Sequence, residues 1–401
     1  MITNLEQIYS VSIAGMKRSI IRELLKLTQN PDIISFAGGL PSPESFPVDD
    51  LKGIVVEMLD QEGKQALQYG ATEGDAKLRK LLVEKYQKEG LKIGVDNLII
   101  TTASQQGLDL LGKIFINRGD KVIVSLPSYL GALSAIGSYG AEFVGVPLDE
   151  DGMSSVILEE KLSGMKKAGQ MPKFIYIIPD FQNPAGITMP LYRRKEILAI
   201  AYKYNLLVVE DCPYREIRFE GEHVPTLFEL DGTGQVIFLG TFSKTFAPGF
   251  RIGWVIANEA IVDKFVVAKQ SADLCTPPFV QKIAARYLEK NLFDKNIKKT
   301  IAMYKEKRDV MLESFRQYMP AGVTWTEPAG GLFLFLTLPE NFNVEELFPK
   351  AIEKKVAYVP GSAFYCNGGG KNTMRLNFSF SSVPDIREGV KRLADMIKEI
   401  I

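Results

Sequence analysis

A short loop of this chain carries a lysine and an arginine between two apolar segments. The runs at 235–240 and 252–257 have the continuous apolar character of buried strands. Between them, Ser243 can donate a hydrogen bond to an anion, and Arg251 offers a planar fork suited to phosphate or carboxylate. Lys244 follows an apolar strand. Loss of hydration there lowers the pKa of an amine, and the neutral amine that results can attack a carbonyl carbon. The loop therefore predicts an anion site beside a nucleophilic amine, the alternative being a solvated surface turn.

Four further polar side chains come soon after apolar runs. Ser104, Tyr129, Asn183 and Asp211 each stand close behind a predicted strand, as the loop lysine does. Strand and helix patterns alternate from about 98 to 257, which indicates an α/β domain with a largely parallel sheet. Because ligands bind such sheets at the carboxyl ends of the strands, we expect these side chains to share one site.

The elements around this sheet follow from the spacing of apolar residues. Helices are predicted at 48–61, 74–89, 261–288 and 298–318. The loop around Lys244 is too short for a crossover helix, so its two flanking strands are expected to be antiparallel. The predicted fold class is therefore α/β, with a mostly parallel mixed sheet flanked by helices.

Towards the C-terminus the pattern changes and predicts a second, smaller α+β unit. We expect an N-terminal arm at 1–45, a large domain at 46–295 and a small C-terminal domain at 296–401. The arm is predicted to contain a short amphipathic helix at Ser19–Leu27, since serine suits an N-cap. It also contains Gly39, where bare backbone allows a ligand to approach closely.

The overall composition argues against several kinds of partner. Lysine plus arginine and aspartate plus glutamate each number 48 among 401 residues, and the resulting net charge of zero argues against a nucleic-acid partner. No run of about 18 apolar residues occurs, so no membrane span is expected. The first residues lack a basic segment followed by an apolar core, so no signal peptide is expected either.

Cysteine and histidine are too few for several mechanisms. Cys212, Cys275 and Cys366 lie far apart, which argues against a disulfide framework or a zinc site and favours a reducing, cytoplasmic setting. His223 is the single histidine, and it lies beside two glutamates in a turn typical of the surface. The chain therefore lacks the residues that a hydrolase with a histidine relay or a zinc ion needs, and no metal is expected.

The polar residues at the strand ends match the needs of one cofactor, pyridoxal phosphate (PLP). PLP requires an amine that holds its aldehyde, a carboxylate that keeps its pyridine nitrogen protonated, an aromatic cover and a phosphate site. Lys244, Asp211 and Tyr129 are candidates for the first three tasks, and Asn183 and Tyr214 can donate to the ring oxygen. The candidate phosphate ligands are Ser104, Gln105, Ser243 and Arg251.

Six stretches, in the same order along the chain, resemble motifs of a known family. The family is that of the fold type I (class I/II) PLP-dependent aminotransferases, and in particular its 2-aminoadipate, kynurenine and aromatic group. The resemblance covers essentially the full length of the chain. The matching stretches are Ser35–Pro41, Tyr69–Gly74, Ser104–Gln106, Asn183–Gly186, Glu210–Tyr214 and the loop at 241–254.

The resemblance implies roles for residues around the cofactor. Lys244 is implied to be the Schiff-base lysine, Asp211 to pair with the pyridine nitrogen and Tyr129 to stack on the ring. The candidate ligands of the ring oxygen and the phosphate keep those tasks. Tyr69 resembles a residue that reaches the phosphate of the neighbouring subunit, which implies a homodimer with shared active sites.

The resemblance also implies contacts to the substrate. Arg375 resembles the arginine that binds the α-carboxylate, Gly39 lines the substrate pocket, and Asn183 contributes to both cofactor and substrate binding. Ser19 and Arg22 match a mobile helix that recognises the substrate side chain in some members of the family.

The implied function is transfer of an amino group between an L-amino acid and 2-oxoglutarate by a ping-pong mechanism. The expected donors are 2-aminoadipate, aromatic amino acids or a similarly broad range, and the partners are amino acids, 2-oxo acids and a second copy of the chain. A PLP-dependent lyase or synthase is the nearest alternative, because cofactor ligands do not decide which bond at Cα breaks. The PLP-binding half of a transcription regulator is a more remote one, since no basic helix-turn-helix precedes the fold.

Arg22 gives a testable prediction about substrate choice. A fixed buried arginine would be costly with an apolar substrate, whereas one on a helix able to swing can serve acidic and apolar side chains in turn. We expect Arg22→Ala to raise KM for acidic substrates more than for aromatic ones in steady-state assays. Equal effects on the two classes would contradict this role.

Overall fold

The computed structural model describes residues 5–16, 18, 30 and 32–400. The strands of this part of the chain are β1 (Ile34–Ser35), β2 (Leu98–Thr102), β3 (Lys121–Leu126), β4 (Glu142–Asp149), β5 (Gly152–Met153), β6 (Phe174–Ile177), β7 (Leu207–Asp211), β8 (Val236–Thr241), β9 (Ile252–Ile256), β10 (Thr324–Trp325), β11 (Phe333–Thr337), β12 (Val356–Ala357), β13 (Val359–Pro360) and β14 (Thr373–Asn377). The helices are α1 (Val11–Gly15), α2 (Val48–Ala66), α3 (Ala76–Lys88), α4 (Ala103–Phe115), α5 (Leu130–Gly137), α6 (Ser155–Lys167), α7 (Leu191–Tyr204), α8 (Leu227–Leu230), α9 (Glu259–Gln270), α10 (Pro278–Glu289), α11 (Leu292–Tyr318), α12 (Val344–Glu353) and α13 (Val383–Lys398).

A mixed sheet with strand order β2-β9-β8-β7-β6-β3-β4-β5 forms the centre of the described chain. The strands from β8 through β7, β6 and β3 to β4 are parallel, whereas β9 runs antiparallel to both β8 and β2. Every residue of β6, β8 and β9 is buried, as expected for strands covered by helices on both faces. The predicted α/β fold with a mostly parallel mixed sheet is confirmed, including the antiparallel pair around the lysine loop.

A second sheet, with order β10-β11-β14-β13, is antiparallel and belongs to the C-terminal part. Strand β1 pairs in parallel with β12, so the segment leading to Gly39 is attached to C-terminal residues. The predicted division at 295/296 falls inside α11, and the three-part domain division stays a prediction. Among the described residues, no helix has both the length and the apolar character needed to cross a membrane.

The single helix predicted at 261–288 is wrong. The structure has two helices there, α9 and α10, separated by a non-helical segment at 271–277. Two adjacent prolines, Pro277 and Pro278, lack N–H groups, and each disfavours a helical residue before it, so the first helix cannot continue through them. Leu274 also has a left-handed backbone, with φ of 65°.

A buried ion pair supports the loop between β6 and α7. The Arg194 and Asp180 side chains are 0% and 1% exposed, and Nη2 lies 2.8 Å from Oδ1. Arg218 Nη2 approaches the same oxygen at 3.0 Å. Removing one partner of such a pair leaves an uncompensated buried charge, whereas exposed pairs contribute little.

Arg194→Leu is therefore expected to lower the free energy of unfolding by about 3–5 kcal/mol, because Asp180 loses its principal partner. Denaturant unfolding followed by tryptophan fluorescence measures the change. The control is Arg387→Leu, which breaks an exposed pair with Glu313 and should cost only about 0–1 kcal/mol. Similar losses in the two variants would contradict a special role of the buried pair.

Candidate active site

Most of the predicted site residues line one cavity of about 1090 Å³ beside the carboxyl ends of the parallel strands. These residues are Gly39, Ser104, Gln105, Tyr129, Asn183, Asp211, Tyr214, Ser243, Lys244, Arg251 and Arg375. Tyr69 lies elsewhere, and its side chain is 80% exposed. Ser19 and Arg22, together with the helix predicted around them, lie outside the described residues. The strand ends thus converge on one site, as their positions in the sequence predict.

Asp211 is a buried carboxylate at the end of β7, in the middle of the sheet. Its Oδ2 accepts a hydrogen bond from the Tyr176 hydroxyl at 2.8 Å. Its Oδ1 has no hydrogen-bond partner among the described residues. Burial raises the pKa of Asp211 to about 7, although the hydrogen bond from Tyr176 opposes the rise. A cation next to Oδ1 would restore the ionised form, so this oxygen suits a protonated ring nitrogen.

The Lys244 amine lies in the same cavity, on the loop that follows β8. Its Nζ donates a hydrogen bond to the Gly39 carbonyl oxygen at 2.8 Å. Burial, together with the positive charges of Arg375 and Arg251, lowers the pKa of Lys244 to about 8. A substantial neutral fraction is therefore present near pH 8, as a nucleophile or a general base requires.

Arg375, on β14, is a buried cation with a fixed orientation. Its Nη1 donates to Asn183 Oδ1 at 3.0 Å, and its Nη2 donates to the Ala37 carbonyl oxygen at 2.9 Å. The guanidinium carbon lies 4.2 Å from the centre of the Phe333 ring, which supports the plane of the group. Burial lowers the pKa of Arg375 to about 10. Two hydrogen bonds leave other N–H groups of the fork available, so Arg375 can bind a carboxylate without losing these contacts.

Asn183 and Tyr214 form a pair of buried polar groups on the cavity wall. Asn183 Nδ2 donates to the Tyr214 hydroxyl at 3.3 Å, and burial raises the pKa of that hydroxyl. The loop that carries Asn183 is fixed by Gln182, whose Nε2 donates to the Pro127 carbonyl and whose Oε1 accepts from the Ala185 N–H, both at 2.8 Å. The two side chains therefore have defined positions from which to contact a bound ligand.

The start of α4 and the lysine loop together form a candidate anion site. Ser104 and Gln105 lie in the first turn of α4, where free N–H groups and the helix dipole favour negative charge. Arg251 Nη1 donates to Ser243 Oγ at 3.4 Å on the opposite side. At Gly253 of β9, a Cβ would lie only 2.5 Å from the Ser104 backbone nitrogen, so glycine is needed for this close approach.

The described residues therefore fit PLP. The cavity contains an amine of lowered pKa at Lys244, a buried carboxylate with one unpartnered oxygen at Asp211 and the anion site just defined. The aromatic ring of Tyr129 also lines the cavity, with its hydroxyl 3.5 Å from Gln105 Oε1. These are the amine, the carboxylate, the phosphate site and the ring cover that the cofactor requires.

Comparison with known proteins decides the family. Residues 33–393 match the family model described as aminotransferase class I and II. The chain belongs to this family. The enzyme is a transaminase, and its cofactor is pyridoxal phosphate. It is 49% identical over 395 residues to aromatic-amino-acid aminotransferase 1 of Thermococcus litoralis, a match that covers 98% of this chain and 95% of that protein.

Solved structures of aminotransferases resemble the whole enzyme. A kynurenine aminotransferase of Pyrococcus horikoshii is 47% identical, with a TM-score of 0.96 over 99% of this chain and 98% of that chain. An alpha-aminoadipate aminotransferase of Thermus thermophilus, solved with N-(5'-phosphopyridoxyl)-L-leucine, is 39% identical, with a TM-score of 0.92 over 99% of this chain and 98% of that chain.

The structure of the aminotransferase adds two aromatic residues that sequence reasoning missed. Tyr176 donates to Asp211, and Phe333 supports Arg375 and makes an edge contact with Tyr214. Tyr176 lies within an otherwise apolar strand, and this isolated hydroxyl was the one available signal. Phe333 lies in an apolar run with nothing to distinguish it from a core residue.

The charges around Lys244 predict a pH dependence. Only a neutral amine can attack an aldehyde, so we expect the rate at which the cofactor-free enzyme attaches PLP to rise with pH through about 8 and then level off. Arg375→Gln removes a positive charge that lowers this pKa, so the midpoint should move to higher pH. Stopped-flow absorbance of PLP attachment measures both profiles. Arg316→Gln, at an exposed pair with Glu327, is the control, and identical midpoints in all three proteins would contradict the charge coupling.

Proposed function

We propose that this aminotransferase takes amino groups from 2-aminoadipate, aromatic amino acids and similar L-amino acids, with 2-oxoglutarate as the acceptor. One observation carries the assignment of an amino acid as substrate. The Lys244 amine, whose pKa is lowered, lines the same cavity as the fixed guanidinium of Arg375, which can bind a carboxylate. Leu40 and Leu133 also line this cavity and offer apolar contacts to a side chain. The range of donors is supported by relatives named for aromatic amino acids, 2-aminoadipate and kynurenine.

Different residues of the cavity bind different parts of the cofactor in this proposal. When bound, PLP supplies an electron-accepting ring that makes the Cα–H bond of an amino acid acidic. Asp211 Oδ1 holds the ring nitrogen in its protonated form, and Tyr129 covers the ring face. Asn183 and Tyr214 donate to the ring oxygen. The phosphate is bound by Ser104, Gln105, Ser243 and Arg251.

Arg375 and Lys244 act on the substrate. Arg375 binds the α-carboxylate, and its hydrogen bonds to Asn183 and Ala37 keep the fork in place before the substrate arrives. Lys244 Nζ would accept the proton from Cα and deliver it to the cofactor rather than back to Cα, which its lowered pKa permits near neutral pH. The Asn183, Tyr214 and Arg375 side chains are buried in the cavity wall, so their polar groups have few positions from which to choose.

The proposed functional unit is a homodimer with shared active sites. Tyr69 and the neighbouring Leu67 are large side chains that are 80% and 75% exposed, which supports burial of this segment against a second copy. Tyr69 would then contact the phosphate bound by that copy. We also propose a cytoplasmic location, supported by three cysteines that are all free in the structure.

Lys244→Ala tests the central assignment. Turnover should fall by at least about 10³-fold, because no other group replaces the base at Cα. Non-covalent PLP should be retained, since Asp211 and Arg251 are unchanged. Coupled assays with 2-oxoglutarate measure turnover, and absorbance spectra report the form of the cofactor. Native turnover in Lys244→Ala would disprove the role of the lysine.

The wild-type enzyme and a matched lysine variant complete the experiment. Wild-type enzyme should convert its PLP stoichiometrically into the amine form when mixed with 2-aminoadipate or an aromatic amino acid and no oxo acid. Lys305→Ala, which removes an exposed lysine paired with Asp309, should behave like wild type. Release of ammonia or a side-chain fragment without formation of the amine form would favour the lyase alternative.

A further inference from the structure

Lys269, near the end of α9, is a fully buried lysine outside the cavity. The side chain is 0% exposed, and Nζ donates to Asp273 Oδ1 at 2.6 Å and to Gln106 Oε1 at 2.9 Å. Burying an ammonium group is costly even when it is paired, and apolar residues often replace such pairs without loss of stability. Stability alone therefore does not explain a lysine at this position, and its contacts indicate what it does.

The contacts of Lys269 close into a ring of hydrogen bonds. Gln106 Oε1, which accepts from Lys269, also accepts from the Thr102 backbone N–H at 2.8 Å. Thr102 Oγ1 donates to the second carboxylate oxygen of Asp273 at 2.9 Å. We call these four residues, Thr102, Gln106, Lys269 and Asp273, the Lys269 ring.

The Lys269 ring encloses the start of α4. Thr102 precedes this helix without capping it by its own side chain, and Gln106 lies one turn later. Between them, Ala103 has a left-handed backbone with φ of 60°, a strained conformation for a residue with a Cβ. Ser104 and Gln105, the proposed phosphate ligands, follow directly and line the cavity. The ring thus ties together the two residues that flank the strained turn.

The same network reaches the segment that carries Tyr69. Thr102 Oγ1 lies 3.1 Å from Thr276 Oγ1, and Gln281 Nε2 donates to the Thr276 carbonyl at 2.7 Å. Gln281 Oε1 accepts from the Asp75 backbone N–H at 2.8 Å, at the end of the stretch that begins with Tyr69. The phosphate ligands of this chain and the residue proposed to reach the neighbouring phosphate are thereby connected.

We propose that Lys269 is a positioning residue for the cofactor phosphate. Lys269 holds Gln106 and Asp273, and both of these residues hold Thr102. Because Thr102 and Gln106 lie on either side of Ala103, these contacts would fix the turn and orient the Ser104 and Gln105 that follow it. This role rests on the proposed binding of the PLP phosphate by Ser104 and Gln105. Lys269 contacts neither the cavity nor the reacting atoms. Its removal should therefore weaken binding of the cofactor phosphate and leave binding of the aldehyde and the pyridine ring unchanged.

Lys269→Met tests this role by removing the ammonium group at similar volume. Cofactor-free protein is titrated with PLP and with pyridoxal, which lacks the phosphate, and binding is followed by absorbance. The Kd of PLP should rise by about 10- to 100-fold, by analogy with the loss of metal affinity when residues that orient metal ligands are removed. The Kd of pyridoxal should stay near the wild-type value. Equal weakening of both ligands, or an unchanged Kd of PLP, would overturn the proposal.

Two further variants separate positioning from stability. Lys307→Met removes another buried lysine, one that donates to the Ser379 carbonyl, and should leave the ratio of the two Kd values unchanged. Lys269→Met with Asp273→Leu removes both charges, so the thermal midpoint should recover while PLP binding stays weak. Recovery of PLP binding together with stability would show a purely structural role and refute the positioning role.

The proposal can also be tested if Lys269→Met does not fold or if the wild-type protein binds no aldehyde. If Lys269→Met does not fold, Asp273→Asn keeps the shape and weakens both carboxylate contacts, and it should raise the Kd of PLP relative to pyridoxal. An unchanged ratio in Asp273→Asn would overturn the role of the ring. Failure of the wild-type protein to bind either aldehyde would refute the proposed function itself, which distinguishes the two proposals.

Discussion

The burial of charge at the end of β7 is the constraint on which the active site depends. Asp211 occupies a place where a carboxylate loses its hydration. Tyr176 donates to one of its oxygens, and the other has no hydrogen-bond partner among the described residues. Such a group is costly to the fold on its own. Two basic groups, the half-buried Lys244 and the buried Arg375, share the cavity with it, and lost hydration lowers their pKa values as well. The protein therefore maintains opposed charges at positions that favour a ligand of mixed charge.

The site needs both the eight-stranded and the four-stranded sheet of the described chain. Asp211 ends β7 and Lys244 follows β8, both in the eight-stranded sheet, whereas Arg375 lies on β14 of the four-stranded sheet. The segment at 36–40 lies between them, since Ala37 accepts from Arg375 and Gly39 accepts from Lys244. A shift of one sheet against the other would change the distance between the two cations, and both contacts to this segment resist such a shift.

The sequence predicted the large sheet well because its signal is local. Buried parallel strands are continuous apolar runs, and their carboxyl ends meet by topology, so Ser104, Asn183 and Asp211 could be assigned to one site without coordinates. Arg375 was placed only by resemblance, because nothing in its own segment indicates a ligand. Tyr176 and the Lys269 ring depend on contacts between distant segments, which periodicity does not contain.

The wrong helix prediction has a different origin, because the signal that it missed is local. The helix predicted at 261–288 followed the apolar spacing, and it ignored the interruption that Pro277 and Pro278 impose. That interruption is also where Asp273 turns back towards Thr102, so the break in the helix creates one side of the Lys269 ring. In the proposal made for Lys269, this break in the helix contributes to the positioning of Ser104 and Gln105.

The fixed orientation of Arg375 has a consequence for handedness. An amino acid held by its α-carboxylate at Arg375 and by its nitrogen at the cofactor has two attachment points, and its remaining two substituents at Cα can be arranged in only two ways. One mirror image turns its hydrogen towards Lys244, and the other turns its side chain there. Since Arg375 is anchored through Nη1 and Nη2 and supported by Phe333, it cannot move to suit both. If Arg375 binds the α-carboxylate as proposed, the stereochemical choice follows from the positions of Arg375 and Lys244 before any substrate binds.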